Sequence, residues 1–176
     1  CNRENLEPDG LGMQMFLAAD RGQITQAEAK LLVGILLSAA ADTTVMTVST
    51  AMHAFSLFPE QYQELRRDPS LVRSAFEESL RWDSPSRMAG RIATRDVEIE
   101  GYVVPQGERC GLMFAAANRD PRKWPAPDQF DVRRDLRGHL GWGYGVHACV
   151  GRPLALLEAD ALLKALIRHI ERFEPA

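Results

Sequence analysis

The sequence predicts a mainly α-helical fold with small β-sheets. Three observations carry that prediction. A helix-compatible stretch runs from Thr25 to Phe58 without a break. Short segments rich in β-branched residues lie between Arg91 and Val104, separated by turn residues. An amphipathic pattern then runs from about Cys149 to Phe173 near the end of the chain. The chain has 176 residues, 45% hydrophobic and 26% charged. That suits one sizeable core and is too short for two comfortable domains, so a single partial domain over 1–176 is expected.

The elements follow in order. A short helix is expected around Leu11 to Ala19. Thr25-Gln26-Ala27-Glu28 reads as a capping box, Thr25 being the N-cap and Glu28 reaching back to it. The helix it opens lasts until Pro59 stops it, a length of roughly 50 Å at 1.5 Å per residue. Its middle is apolar or small on every side, which predicts a helix running through the core. Helices over about 59–67 and 70–83 come next. Strands are expected at 91–94, 97–99 and 102–104, with Glu100-Gly101 and Pro105-Gln106-Gly107 as turns. A short helix around Leu112 to Asn118 precedes an irregular stretch, Arg119 to His147, with three prolines and a cluster of glycines. An ordered stretch of that length without regular structure is usually functional. Pro153 falls in the first turn of the last helix, where it is tolerated.

Composition excludes several classes of function. The net charge is -3, with 21 basic residues against 24 acidic ones, which argues against a general nucleic-acid binder. The most apolar run, Leu31 to Ala41, is about half the roughly 20 residues of a membrane span, so no membrane association is expected. Cys1, Cys110 and Cys149 are odd in number and far apart, unlike a secreted disulfide framework, and a reducing cytoplasm is expected. The sequence starts at Cys1 with no signal peptide and stops soon after an amphipathic helix, so a fragment cut at both ends is expected.

Three constellations carry the candidate chemistry. Asp42-Thr43-Thr44 sits in the middle of the long helix, where these residue types are poor choices by propensity. One reading is a few satisfied core hydroxyls. The other is a helix distortion that places a carboxyl and a hydroxyl beside a ligand, with Ala39, Ala40 and Ala41 leaving room. Glu78 and Arg81 are spaced i,i+3, on the side of their helix opposite Val72, Ala75, Phe76 and Leu80. Helical geometry alone makes them a solvated surface pair, unless the irregular stretch packs over that face.

The third constellation is Gly141-Trp142-Gly143-Tyr144-Gly145-Val146-His147-Ala148-Cys149-Val150-Gly151. Its glycines match part of a dinucleotide fingerprint, but no apolar strand precedes them. Nor is it a P-loop, because no Gly-Lys-Ser/Thr follows. His147 and Cys149 lack the partners of a zinc site. What is left is one cysteine entering a helix, where backbone N–H groups and the helix dipole favour a thiolate. Glycines let the backbone approach a flat, bulky group closely. An axial thiolate for haem, a catalytic thiol and an inert cysteine all remain open on this segment.

In this order the three constellations resemble the C-terminal half of a bacterial cytochrome P450, from the long central helix to the helix after the haem-ligand loop. Trp142 to Gly151 resembles the family's FGxGxHxCxG loop, with Trp142 in place of the usual Phe. Ala39-Ala40-Ala41-Asp42-Thr43 resembles the (A/G)GxDT motif, with Ala40 in place of the usual Gly. Glu78-Ser79-Leu80-Arg81 resembles the ExxR motif. Ala117-Asn118-Arg119-Asp120-Pro121 and Phe130-Asp131-Val132-Arg133-Arg134 also look like bacterial members.

The resemblance implies a monooxygenase that uses haem b and O2, with Cys149 as the axial iron ligand. It implies that Arg91 and His147 bind the haem propionates and that Trp142, Gly143 and Gly151 belong to the haem-binding loop. Asp42 and Thr43 would be the acid–alcohol pair, and Glu78, Arg81 and Arg134 a structural triad. Ala39, Ala40, Met88, Ala89 and Gly90 would line the substrate pocket. The implied reaction is hydroxylation or O-dealkylation of a small apolar or aromatic substrate, with electrons from a ferredoxin-type donor and its reductase. The N-terminal half of such a protein and its final β-hairpin are absent from this sequence. Two other readings stand beside this one: an inactive haem-binding fragment or helical interaction module, and a cysteine-nucleophile hydrolase using Cys149 and His147.

Overall fold

The computed structural model describes residues 2–175; Cys1, one of the three cysteines, lies outside them. Six helices appear, α1 (Leu11–Asp20), α2 (Gln26–Leu57), α3 (Pro59–Arg67), α4 (Val72–Trp82), α5 (Phe114–Ala117) and α6 (Arg152–His169). The strands are β1 (Ala89–Ile92), β2 (Val97–Ile99), β3 (Tyr102–Val104) and β4 (Arg109–Leu112). They form two separate antiparallel pairs. Ala89 to Ile92 oppose Leu112 to Arg109, and Val97 to Ile99 oppose Val104 to Tyr102. The family-independent expectation of a mainly α fold with small sheets matches this order.

Two compact units make up the chain, residues 1–44 and 45–176, the boundary falling inside α2 between Thr44 and Val45. In the first unit, Phe16, Ala29 and Val33 are buried, with Leu6, Met15, Ala19 and Ile24 packed against them. The capping box forms as its residues dictate. Glu28 Oε2 accepts the backbone N–H of Thr25 at 2.7 Å, and Thr25 Oγ1 accepts that of Glu28 at 3.1 Å. The Thr25 N–H and the Thr25 hydroxyl, which also donates to Glu28 Oε2 at 2.8 Å, hold the Glu28 carboxyl below its ordinary range.

The second unit holds the larger core. Ala51, Ala54 and Phe55 of α2 meet Tyr62 and Leu65 of α3 and Val72, Ala75, Phe76 and Leu80 of α4. Phe130 and Val132 of the irregular stretch and Ala159 and Leu163 of α6 complete it. The Tyr62 hydroxyl donates to the carbonyls of Leu166 and Ile170, at 3.2 and 2.8 Å, and so ties down the end of α6. Burial of the ring pushes the Tyr62 phenol above its ordinary range.

Some elements differ from expectation. β4 occupies residues where only the approach to a helix was expected. Its Arg-Cys-Gly-Leu sequence has no β-branched residue, and its extended form comes from pairing with β1. The helix that follows is correspondingly short. The last helix begins at Arg152, three residues after Cys149, because residues 145–147 form a 3-10 turn and Cys149 lies in the connecting loop.

The middle of α2 differs most. Leu31, Ile35, Leu37 and Val45 are each 53–63% exposed, where the pattern predicted a core helix. Within the described residues, nothing packs over that face to bury it. An 18-residue window of α2 has a mean hydropathy of 1.8, apolar enough to cross a membrane by length and composition. The small residues around the Leu31–Ala41 run extend its apolar character. A core helix of a soluble protein has the same composition.

Candidate functional site

The irregular stretch is held by one buried ionic network. Arg81 donates to Glu78 through Nε at 2.7 Å and through Nη2 at 2.8 Å, a bidentate pair with neither side chain exposed. Arg134 reaches the same carboxylate, its Nε 3.1 Å from Glu78 Oε1. The backbone N–H of Asp131 also donates to Oε1, at 3.0 Å. The guanidinium of Arg134 then continues to the carbonyls of Pro125, Ala126 and Gln129. Glu78 and Arg81 are therefore not the solvated surface pair that helical spacing suggests. The irregular stretch covers the second face of α4, which the period of a single helix cannot reveal.

Asn118, buried in the same region, links this network to the cysteine loop. Its carbonyl accepts from Arg81 Nη1 at 3.0 Å, its Oδ1 accepts the Leu140 N–H at 2.7 Å, and its Nδ2 donates to Ser84 Oγ at 2.9 Å. Arg119 donates to the Trp82 carbonyl and to Asp128, and its guanidinium lies 4.8 Å from the Trp82 ring centroid. Sequence reasoning gave neither residue a role. Their only signal was their place in the Ala-Asn-Arg-Asp-Pro segment.

The loop from Leu140 to Gly151 is built by its glycines. A Cβ on Gly141 would meet Leu80 Cβ at 2.9 Å, so only glycine lets the loop lie this close to α4. Gly143 has φ +70°, and a Cβ there would meet the His147 carbonyl oxygen at 2.8 Å. The Cys149 N–H donates to the Trp142 carbonyl at 2.8 Å, which closes the loop on itself. The Trp142 ring packs against Phe76, with centroids 6.1 Å apart. His139 Nδ1 accepts the Gly141 N–H at 3.3 Å, and burial holds this imidazole below its ordinary range.

The outer face of the loop is apolar and open. Tyr144, Val146 and Val150 are 84%, 98% and 82% exposed, and the Cys149 thiol is exposed beside them. His147 is exposed as well, and Gly151 is half-buried. In β1, half-buried Arg91 donates to the Gly90 carbonyl at 2.8 Å. Met88 is exposed just before it, and a Cβ on Gly90 would meet no atom within 4 Å; Ala89 is half-buried. Among the described residues no three His, Cys, Asp or Glu converge to hold a metal ion. A thiol, exposed apolar side chains, an imidazole and a guanidinium make a donor set that fits haem. The iron needs one thiolate, the ring an apolar bed, and the propionates cations.

The remaining candidates lie in the first unit. Ala39, Ala40 and Asp42 are exposed on α2, and Thr43 Oγ1 donates to the Ala39 carbonyl at 2.7 Å. Such a bond back along the helix is the usual outcome for a hydroxyl in a helix interior. α2 remains helical through these residues.

Comparison with known proteins follows the same outline. The family model described as Cytochrome P450 matches residues 3–175. Cytochrome p450 CYP199A2 of Rhodopseudomonas palustris is 46% identical over 176 residues, all of this chain and 43% of that protein. Vitamin D3 dihydroxylase of Streptomyces griseolus is 39% identical over 92% of this chain and 41% of its own length. The tirandamycin C-bound P450 monooxygenase TamI superposes with a TM-score of 0.87 at 34% identity, over 94% of this chain and 42% of that one. The chain thus spans about two fifths of the length of these relatives.

Proposed function

The chain belongs to the cytochrome P450 family, and from that premise we propose that it is the haem-binding half of a monooxygenase with Cys149 as the axial iron ligand. Members of the family use haem b and O2. Bound through a thiolate, the haem supplies activation of O2, since thiolate donation favours O–O cleavage. The observation that carries the assignment is the exposed Cys149 thiol, fixed by the Cys149–Trp142 backbone bond and surrounded by exposed apolar side chains.

The chain's own residues then divide the remaining work. Arg91 and His147 would pair with the propionates, and Gly143, Gly151 and Trp142 would shape the loop that holds the haem. Asp42 and Thr43 hold water and move protons through a carboxyl and a hydroxyl on α2. Ala39, Ala40, Met88, Ala89 and Gly90 leave space for a small apolar or aromatic substrate, which is hydroxylated or O-dealkylated. The protein positions and shields; the cofactor carries the difficult step.

Both units belong, in this proposal, to one domain of a cytoplasmic protein. Segments outside this sequence cover the apolar face of α2, and a ferredoxin-type donor with its reductase delivers electrons one at a time. A cysteine-nucleophile hydrolase fits less well. A nucleophile needs a base that a third group orients, and no hydrogen bond among the described residues orients the exposed His147 imidazole.

The test is the difference spectrum of dithionite-reduced protein with and without carbon monoxide, beside a Cys149→Ala control. A strongly red-shifted Soret band that the control loses supports the assignment. A haem band without that shift, or no haem in a longer chain that carries this sequence, overturns it.

A further inference from the structure

Glu77 stands beside Glu78 on α4 but serves the cysteine loop instead of the irregular stretch. Its Oε1 accepts the indole N–H of Trp142 at 3.1 Å and Nη2 of Arg152 at 2.7 Å. Only 19% of its side chain is exposed. Trp142 and Arg152 lie on either side of Cys149, one entering the loop and the other opening α6. One carboxylate oxygen therefore ties both ends of the cysteine-bearing segment to α4. The Arg152 guanidinium also lies 5.6 Å from the Trp142 ring centroid, opposite in kind to the Phe76 contact, so the indole is held by a charge and a ring together.

The chemistry of the indole gives this arrangement its meaning. Tryptophan has a single N–H and no acceptor. Here that donor goes to a carboxylate, a charge-assisted bond. The same residue's carbonyl accepts the Cys149 N–H. We propose that Glu77 is a positioning residue for the Cys149 ligand: it fixes the Trp142 ring that leads into the loop and keeps its N–H from other acceptors, the Cys149 sulfur included. Loss of Glu77 frees the indole N–H to seek another acceptor, the thiolate among them. A bond to the sulfur withdraws charge from it and raises the reduction potential of the metal it holds. The role rests on the haem-thiolate reading of Cys149.

The test has two parts, of which the first needs no haem. In protein labelled with 15N-tryptophan, the Trp142 indole signal is the one lost on Trp142→Phe substitution. Glu77→Ala should speed solvent exchange of that indole proton by about tenfold, the size expected for losing a hydrogen bond to a charged group. Glu77→Gln, whose amide oxygen still accepts, should restore most of the protection. In haem-loaded protein, Glu77→Ala should raise the reduction potential, and the shift should vanish in the Trp142→Phe background. Unchanged indole exchange in Glu77→Ala overturns the proposal, as does a potential shift that persists without Trp142. Failure of the haem-thiolate reading appears separately, as a parent protein lacking the red-shifted carbon monoxide band.

Discussion

All five N–H donors of Arg81 find acceptors inside the protein. Two go to the Glu78 carboxylate and the others to the carbonyls of Asn118, Pro127 and Gln129. The pair is thus a hub as well as an ion bridge, since one side chain of α4 grips two points of the irregular stretch and the residue just before it. Arg134 returns from that stretch to the same carboxylate. A buried pair gains little over apolar residues of similar size. Its value here lies in specifying one course for backbone that has no regular hydrogen bonding of its own.

Breaking the pair should therefore be severe. Glu78→Ala leaves the Arg81 guanidinium buried without its carboxylate, and Arg81→Ala leaves the buried Glu78 carboxylate with only Arg134 and the Asp131 N–H; either should cost about 3–5 kcal/mol. Arg81→Lys keeps the charge but has three donors in place of a planar fork of five, so it should rescue little. Arg134→Ala, at the partly exposed end of the network, should cost less than either. Urea unfolding midpoints followed by tryptophan fluorescence order the four variants.

The contrast between these residues shows what a sequence discloses. The capping box at Thr25 and the apolar face of α4 were legible because both depend on residues within one or two turns. The burial of Glu78 and Arg81 was not legible from spacing, because it is set by residues some 50 positions later; only the resemblance to a known family pointed to it. Glu77, Asn118 and Arg119 were missed for the same reason, as each acts on backbone or side chains distant in sequence. The exposure of α2 was missed for the opposite reason. An apolar pattern says that a helix face suits burial, and among the described residues nothing covers this one.

The loop's glycines should not be interchangeable. Gly143→Ala places a Cβ against the His147 carbonyl in a left-handed backbone conformation, and should cost about 1–3 kcal/mol. Gly145→Ala has the same sign of φ, +62°, but meets nothing within 4 Å. It should cost only the conformational strain, about 1 kcal/mol. Gly141→Ala pushes against Leu80 and should cost about 1–3 kcal/mol through overpacking. Thermal unfolding of the three variants gives the order, and haem retention should fall most for Gly143→Ala.

Acid should weaken the loop through His139. Burial lowers its native pKa, and Arg152 and Arg81 act in the same direction, while Glu77 and Glu78 oppose them. The native state therefore binds fewer protons than the unfolded chain as pH drops through the ordinary imidazole range, near 6.5. The contribution to stability is fully present above that range and declines as pH falls through the native value. Protonated Nδ1 can no longer accept the Gly141 N–H. Urea midpoints measured from pH 8 to 5.5 should fall for the parent and fall less for His139→Gln.

Thr43 separates a catalytic role from a structural one. Its hydroxyl returns to the Ala39 carbonyl, a bond that adds little to helix stability, and alanine is the better helix former. Thr43→Ala should therefore leave stability within about 0.5 kcal/mol of the parent. If the hydroxyl manages protons during O2 activation, the same variant should consume O2 and reductant while forming less product, with KM for substrate little changed. Thr43→Ser keeps the hydroxyl and should recover most of the lost coupling, whereas Thr43→Val keeps only the shape and should not. The ratio of product formed to O2 consumed, measured in a longer haem-loaded chain carrying these substitutions, decides it. A parent-like ratio in Thr43→Ala would leave Thr43 as a helix residue whose hydroxyl bonds the Ala39 carbonyl.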